Sequence, residues 1–426
     1  MKIAWILNGT VSRAGTLYSG TESQSGGWIN DTFNQFAEKI VGGTVDLHIV
    51  VPVPRYKEPI KDTLGGTYYF LEWQSKRMGA RPSHKDCKAI DDVLDRIAPD
   101  CIMLWGSEFS TTLCASRYGK KHKIPLLLYV QGLVNSFEGK FNGNLPLKEM
   151  GSIISPLDRL KMIQSIKYFD NLMRQRKYEN EIFKSLYGVI SDSEWCFSYA
   201  RKINPTVKCF KHFLPLNKVF LNGEWSFEKS HKNEIFTIAG RTAYKGLHNL
   251  IKALPAVKTQ FPDVRVYIPG YMGYGFPKII KRPPYIAYLN ALIKKCGVSE
   301  NVVFLGKLNA EKMREQMEKC ACFVMPSMVE NCSTTLREAM FVGAPCVASL
   351  VGSVGEYVKH GISGSVYEAG DYEALSREII HVLSNTEYAK TIANGSKREI
   401  RKIYSDTDYP SVYEIYREVC DTQLGL

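Results

Sequence analysis

Short apolar runs alternate with longer amphipathic stretches along the first half of the chain. The longer stretches carry apolar residues three and four positions apart, which is typical of helices that bury one face. Strands that alternate with helices indicate a parallel sheet covered by helices. We therefore predict an α/β domain over residues 1–206, with strands at 3–7, 45–51, 101–105, 126–130 and 188–191.

A second series of apolar runs follows Asn204 and Pro205, where the first pattern breaks. These runs also alternate with helical patterns, so we predict a second parallel α/β domain over residues 207–404. The remaining segment, 405–426, is mostly helical by pattern. The predicted strands of the second domain lie at 209–213, 235–239, 264–268, 302–305, 322–325 and 346–348.

Length and composition agree with two such domains. A chain of 426 residues is too long for one hydrophobic core and suits two domains of about 200 residues each. No apolar run approaches the ~18 residues of a membrane span, and the first run is too short for a signal peptide, so we expect a cytoplasmic protein. The eleven cysteines include no C-x-x-C pair, which favours buried thiols over disulfides or a zinc site.

The formal charge of +12 and the pI near 9.0 indicate anionic partners. Nucleoside diphosphates, an acidic membrane surface and nucleic acid would each fit this charge. Nucleic acid fits least well, because the basic residues form no dense stripe and no nucleic-acid-binding motif is present. We therefore expect no nucleic-acid partner.

Residues 326–349 combine a strand end, a polar loop and a helix start. Glu330 and Asn331 lie in the predicted loop, and Ser333, Thr334 and Thr335 are candidate N-cap residues of the helix that follows. In a doubly wound parallel sheet such a loop lies at the carboxyl edge, where ligands bind. This stretch can therefore hold an anion beside a carboxylate.

Two structural readings of the same stretch stay open. Thr335 and Glu338 have the spacing of a capping box, in which Glu338 would only cap the helix start. Glu330 would then be an ordinary loop charge. Residues upstream of this stretch bear on whether Glu338 and Glu330 have these structural roles or bind a ligand.

Two cations follow the strand predicted at 235–239. Arg241 and Lys245 are four residues apart and are flanked by Gly240 and Gly246, which places two positive charges at a tight turn. Such a turn is a good diphosphate site, although a turn with two solvated basic side chains has the same pattern. Two further residues, Lys307 and Leu308, follow the strand at 302–305, where they could meet a nucleotide base.

The first half offers weaker candidates at its strand ends. Gly26 and Gly27 precede a helix and would let backbone N–H groups approach a phosphate, or they serve only as a turn. Glu108 and Gln131 each follow a predicted strand, where either could orient a substrate hydroxyl or have no such role. The stretch 156–184 is a basic amphipathic helix, which fits contact with anionic lipid or ordinary core packing with a solvated basic face.

Taken in order, these motifs resemble the signature of glycosyltransferase family 4, whose members are retaining enzymes of the GT-B fold. The resemblance is specific from residue 238 to about residue 368 and looser in the first half. It implies two Rossmann-like domains facing across a cleft, with the C-terminal helix returning to the first. Residues 1–206, joined by 405–426, would bind the acceptor, and residues 207–404 would bind the donor.

The resemblance also implies roles for individual residues. Arg241 and Lys245 would neutralise the donor diphosphate, Glu338 would bind the ribose hydroxyls, and Glu330 would hold the transferred sugar at the catalytic position. Gly26 and Gly27 would close over the diphosphate. The sequence departs from the family pattern at two places. Gln131 stands where many members have a histidine, so no catalytic histidine is carried over. Ser333 to Thr335 replace a glycine-bearing turn.

The resemblance implies a retaining, metal-independent hexosyltransferase with a UDP- or GDP-type sugar nucleotide as donor and no cofactor. The acceptor would be a glycan or a lipid-linked glycan in surface polysaccharide synthesis. Peripheral contact at the inner face of the membrane stays open. Two alternatives stay open. A sugar-nucleotide epimerase of the same fold would need no acceptor, and a sugar-nucleotide binding protein would show no turnover.

Overall fold

The predicted alternation of strands and helices is present in both halves of the chain. The computed structural model describes residues 1–9, 12–20, 27–73, 81–240, 242–270, 283–405 and 409–424. The chain divides into two units. Unit 1 comprises Met1–Asn135, Phe169–Pro215 and Thr407–Leu426, and unit 2 comprises Ser136–Tyr168 and Leu216–Asp406.

The sheet of unit 1 has the strand order β3-β4-β2-β1-β5-β6-β7-β8, and all its neighbours are parallel except the antiparallel pair β3 and β4. The hairpin that adds β3 and β4 to one edge was not predicted. The strands are β1 (Lys2–Ile6), β2 (Asp46–Val53), β3 (Lys57–Lys61), β4 (Thr67–Glu72), β5 (Cys101–Trp105), β6 (Leu126–Tyr129), β7 (Gly188–Ser191) and β8 (Lys208–Lys211).

The sheet of unit 2 is parallel throughout, with the order β11-β10-β9-β12-β13-β14. The central position of β12 puts its carboxyl end in the middle of one sheet edge. The strands are β9 (His231–Phe236), β10 (Arg265–Pro269), β11 (Val302–Gly306), β12 (Cys320–Met325), β13 (Cys346–Ser349) and β14 (Ser365–Tyr367).

Helices cover both faces of each sheet, because alternate residues of a strand point to opposite faces. In β1, Trp5 packs into one core layer and Ile6 into the other. The helices are α1 (Ser12–Ser19), α2 (Gly27–Val41), α3 (His84–Ile97), α4 (Ser110–His122), α5 (Leu147–Ser152), α6 (Pro156–Phe183), α7 (Glu194–Ile203), α8 (Lys218–Leu221), α9 (Leu247–Gln260), α10 (Pro284–Lys295), α11 (Ala310–Lys319), α12 (Thr334–Val342), α13 (Val354–Tyr357), α14 (Tyr372–Ser384), α15 (Thr386–Ser405) and α16 (Val412–Leu424).

The boundary predicted between residues 206 and 207 is wrong, because it falls too early. Strand β8, assigned from sequence to the second domain, pairs in parallel with β7 and belongs to the first sheet. The pattern break at Asn204 is the end of α7, where the Asn204 side chain donates hydrogen bonds to the carbonyls of Phe183 and Leu186. It ends a helix inside unit 1, and unit 2 resumes only at Leu216.

A second correction concerns residues 136–168, which the sequence assigned to the first domain and which belong to unit 2. Leu145, Met150 and Ile154 are buried in the core layer of unit 2 that also contains helix α9 and helix α10. Burial of these three side chains holds the segment against unit 2.

The predicted return of the C-terminal helix to the first domain is confirmed. Helix α16 packs Tyr416 into the core of unit 1, where the Trp5 Nε1–H donates a hydrogen bond to the Tyr416 hydroxyl at 2.8 Å. Both residues are fully buried, so this bond joins the first strand to the last helix.

Candidate functional site

Glu330 lies in the loop that leaves β12 at the carboxyl edge of the second sheet. Its Oε1 accepts a hydrogen bond from the Ser327 hydroxyl at 2.9 Å and forms an ion pair with the Lys245 ammonium. The Glu330 side chain is 10 % exposed and the Lys245 side chain 36 % exposed. The carboxylate is thus held from two sides, while the lysine remains open to a ligand.

The loop that carries Glu330 is held by the loop that follows β13. Ser349 donates its hydroxyl to the carbonyl of Ser327, and the backbone N–H of Ser353 donates to the carbonyl of Asn331 at 3.0 Å. Gly352, with φ +53°, passes so close that a Cβ at this position would lie 1.8 Å from the carbonyl oxygen of Glu330. Only glycine permits this approach.

The other side of the Glu330 loop contacts the turn that carries Lys245. Residues Ala243–Lys245 form one 3-10 turn, which ends at Gly246 with φ +73°. A Cβ on Gly246 would overlap the carbonyl of Pro326, and the Met328 N–H donates to the carbonyl of Tyr244 at 2.7 Å. These backbone contacts place the Lys245 ammonium against Glu330. Arg241, the second predicted cation, lies outside the described residues.

Lys245 stays charged in this pair. Burial disfavours its ammonium, but the adjacent Glu330 carboxylate outweighs burial and raises the pKa of Lys245 above its ordinary value. Without a ligand the two charges neutralise each other. An incoming diphosphate would compete with Glu330 for the same ammonium.

Helix α12 begins differently from the predicted capping box. The N-cap is Ser333, whose hydroxyl accepts a hydrogen bond from the Leu336 N–H at 3.3 Å, and the helix starts at Thr334. Glu338 therefore lies in the second helical turn, too far along the helix to cap its start. The capping interpretation of Glu338 is wrong, because the cap falls two residues before Thr335.

Glu338 is a mostly buried carboxyl group. Burial raises the pKa of Glu338 to about 7 against a weaker opposing effect of Arg337. Within the described part of the chain its carboxylate has no hydrogen-bond partner. A buried carboxyl in this state is available to a ligand, and the ribose contact stays a prediction.

Four of the predicted site residues line one cavity of about 260 Å³ beside β12. They are Lys245, Glu330, Ser333 and Thr335. The other predicted residues of unit 2 that the structure describes do not line it. Asn331 is buried in the loop itself, Thr334 and Glu338 lie on α12, and Lys307 and Leu308 follow β11.

The candidates of the first half lie in unit 1. Gly26 is outside the described residues, and Gly27 is the first residue of α2. Glu108 follows β5 and turns its carboxyl group back toward Gly106, where a Cβ would lie 2.2 Å from Glu108 Oε2. Burial raises the pKa of Glu108 to about 8. Gln131 follows β6 and is partly exposed.

Glu179, a fully buried carboxylate on α6, was not predicted from the sequence. It accepts hydrogen bonds from the Ser107 hydroxyl at 2.7 Å and from the backbone N–H groups of Val134 and Asn135 at 2.7 and 2.8 Å. It thereby joins the loops that carry Glu108 and Gln131. No sequence signal marks Glu179, because its partners come from two distant loops.

Asn8 was also missed, although the rule that selected Glu108 would have found it. It follows β1, and its Oδ1 accepts hydrogen bonds from the hydroxyls of Thr111 and Thr112, each at 3.1 Å. Its Nδ2 donates to the carbonyl of Trp105. Asn8 thus ties the ends of β1 and β5 to the start of α4.

The sequence and the architecture are similar to those of known proteins. Residues 223–399 match the family model described as "Glycosyl transferases group 1". The whole chain superposes on sucrose-phosphate synthase from Thermosynechococcus elongatus, with TM-score 0.64, 14% identity and coverage of 100% of this chain and 97% of that one. It also superposes on Anabaena Alr3699/HepE in complex with UDP-glucose, with TM-score 0.62, 15% identity and full coverage of both chains. The protein has the GT-B fold.

Each similarity in sequence covers less than half of this GT-B protein. An uncharacterized glycosyltransferase of Methanocaldococcus jannaschii is 27% identical over 173 residues, which is 40% of this chain and 41% of that protein. The chain thus spans about two fifths or less of the length of the curated relatives it matches. The segment 223–399 contains Lys245, Glu330 and Glu338, so the family match and the cavity fall in the same unit.

The described residues of this GT-B protein contain no group of three or more His, Cys, Asp or Glu side chains arranged to hold a metal ion. None of the helices, as far as the structure describes them, is both long and apolar enough to cross a bilayer.

Proposed function

We propose that the protein is a glycosyltransferase that moves a sugar from a nucleoside-diphosphate sugar to a glycan or lipid-linked acceptor in surface polysaccharide synthesis. The observation that carries this proposal is the Lys245–Glu330 ion pair at the wall of the 260 Å³ cavity. A partly exposed lysine beside a nearly buried carboxylate offers one group to a phosphate and one to sugar hydroxyls. The family match over the same residues supports this assignment.

The donor chemistry fits the groups at this sheet edge. The diphosphate gathers negative charge as it leaves the sugar, and a fixed cation stabilises that charge. Lys245 supplies this cation, and we assign the second to Arg241. The first turn of α12, whose Thr335 lines the cavity, adds the positive end of a helix dipole.

The carboxylates have separate roles in the proposed reaction. Glu330 holds the transferred sugar, since it is the carboxylate inside the cavity, and Glu338 binds the ribose of the donor. We propose that the reaction retains the configuration at the sugar carbon and needs no metal ion, as in glycosyltransferase family 4. The first donor to test is UDP-glucose, which occupies the solved Anabaena protein of the same fold.

On the acceptor side we propose the sheet edge of unit 1 that carries Glu108 and Gln131. We also propose that α6 touches an anionic membrane surface, because Leu157 and Leu160 are exposed apolar side chains beside the exposed Arg159. The combined variant Leu157→Ser, Leu160→Ser and Arg159→Gln should weaken binding to phosphatidylglycerol vesicles, and unchanged binding would remove the membrane contact from the proposal.

The test of the proposed function separates binding from transfer. Calorimetry with UDP, GDP and their sugar conjugates identifies the preferred nucleotide. The variant Glu330→Gln should then keep or raise nucleotide affinity, because Lys245 loses its competing carboxylate, and should slow release of the nucleoside diphosphate from the donor by about 100-fold. The matched control is Glu311→Gln on the exposed face of α11.

Three outcomes contradict the proposal. If the wild-type protein bound no nucleotide or sugar nucleotide, a nucleoside-diphosphate sugar would be excluded as its donor. Conversion of one sugar nucleotide into another without an acceptor would identify an epimerase. Tight donor binding without transfer or hydrolysis in the wild-type protein would identify a binding protein.

A further inference from the structure

One segment lies beside the Lys245 turn although the chain reaches it from the first sheet. Residues 137–152, here called the bracing segment, follow β6 and belong to unit 2. The ring of Phe137 packs edge-on against Tyr244 with a centroid distance of 5.1 Å, and Phe141 packs against the same ring at 5.8 Å. The residue adjacent to Lys245 is thus held between two aromatic side chains.

The bracing segment approaches the turn closely at Gly143. This residue has φ +66°, and a Cβ would lie 2.4 Å from the carbonyl oxygen of Ala243 and 2.5 Å from the His248 ring. Any larger residue must displace the backbone of the turn. Glycine is therefore required both for its conformation and for the space.

The buried His248 of α9 joins the bracing segment to α10. His248 Nε2 lies 3.0 Å from the carbonyl oxygen of Gly143, and Nδ1 lies 3.0 Å from the Tyr285 hydroxyl. Because a carbonyl only accepts, Nε2 carries the hydrogen and the Tyr285 hydroxyl donates to Nδ1. A single neutral tautomer satisfies both bonds, and burial lowers the pKa of His248 to about 4.

The far end of the bracing segment is anchored independently. Glu149 Oε1 accepts hydrogen bonds from the Lys252 ammonium at 2.8 Å and from the Tyr288 hydroxyl at 3.0 Å. Leu145 and Met150 are buried in the core of unit 2. The segment is therefore fixed to α9 and α10, and it can transmit that fixed position to the turn.

We propose that the bracing segment is a positioning element of the donor site, in which Gly143 and His248 hold the Ala243–Lys245 turn and thereby set the distance between Lys245 and Glu330. Neither residue touches the cavity, so both act through Lys245. The inference rests on the proposed function for its effect on donor binding. Its structural part, the ordering of the turn, does not depend on that function.

The binding test uses the full chain with UDP and GDP as probes. Gly143→Ala and His248→Phe should each weaken binding of the preferred nucleotide about ten- to 100-fold, as expected for a misplaced charge-assisted hydrogen bond. In a Lys245→Ala background the same substitutions should have no further effect. Equal losses in both backgrounds would overturn the proposal, because the segment would then act on binding without Lys245.

A second measurement does not need a nucleotide. Hydrogen exchange of the amides at 244–246 should become faster in Gly143→Ala and His248→Phe than in wild type. The control is Ile392→Val, a buried substitution in α15 of the same core layer, which lowers stability without touching the turn. Unchanged exchange in the folded variants overturns the proposal. Failure of wild type to bind any nucleotide, with faster exchange in the variants, contradicts the proposed function and leaves the bracing role standing.

Discussion

Glu338 allows a stability prediction that also tests its availability to a ligand. Burial raises the pKa of this carboxyl from its ordinary value of 4.5 to about 7. The folded protein therefore binds the proton more tightly than the unfolded chain does. As the pH rises from about 4.5 to about 7, ionisation favours the unfolded chain, so the wild-type protein loses stability over this window and the loss is complete above it.

The magnitude follows from the increase in pKa. A rise of about 2.5 at 1.36 kcal/mol for each pH unit is about 3.4 kcal/mol, which we reduce to about 1–2 kcal/mol because Glu338 is partly exposed. Glu338→Gln removes the titration while keeping the shape of the side chain. We expect this variant to be more stable than wild type by about 1–2 kcal/mol at pH 8 and by less than half of that at pH 5.

Urea unfolding of both proteins at pH 5 and pH 8 measures this difference. The same variant should lose the thermal stabilisation that the preferred nucleotide gives wild type, because a ligand that binds the folded state raises stability by RT ln(1 + [L]/Kd). Equal stability differences at the two pH values would refute the burial argument. If the nucleotide stabilised Glu338→Gln against heat as much as it stabilises wild type, the ribose contact would be refuted.

Three further substitutions test the contacts that build each unit. Glu179→Ala should cost about 3 kcal/mol or more in urea unfolding, because Ser107, Val134 and Asn135 lose their buried acceptor; a loss below 1 kcal/mol would contradict this. Tyr416→Phe should cost about 1–3 kcal/mol by the same measurement, since the Trp5 N–H is left without its partner, and an unchanged midpoint would argue against this bond. Gly352→Ala should cost about 1–3 kcal/mol and reduce donor turnover, since its Cβ would displace the Glu330 loop; wild-type turnover would show that the loop tolerates the added carbon.

The strands and the order of the motifs were predictable because they depend on local patterns. Runs such as 101–105 and 322–325 are buried strands as predicted. The carboxyl-edge rule placed Lys245 and Glu330 at one edge from the sequence alone, and the structure brings their side chains into contact. Neither result requires knowledge of distant residues.

Three features depended on partners that are distant in the chain. Strand β8 looks the same whether it joins the first sheet or the second, and its pairing with β7 decides the domain boundary. The bracing segment shows no pattern that predicts its contact with Ala243 and His248. Glu179 became recognisable only when two loops were found to converge on it.

The stretch 326–349 contains features that local sequence determines and features that depend on distant residues. The sequence by itself determined that a strand ends, a polar loop follows and a helix begins, because hydrophobic periodicity and capping residues act over a few positions. Tertiary structure decided which residue caps the helix and that Glu330 pairs with Lys245. The burial of Glu338 was decided in the same way, because burial and ion pairing depend on elements that meet only when the sheet has formed.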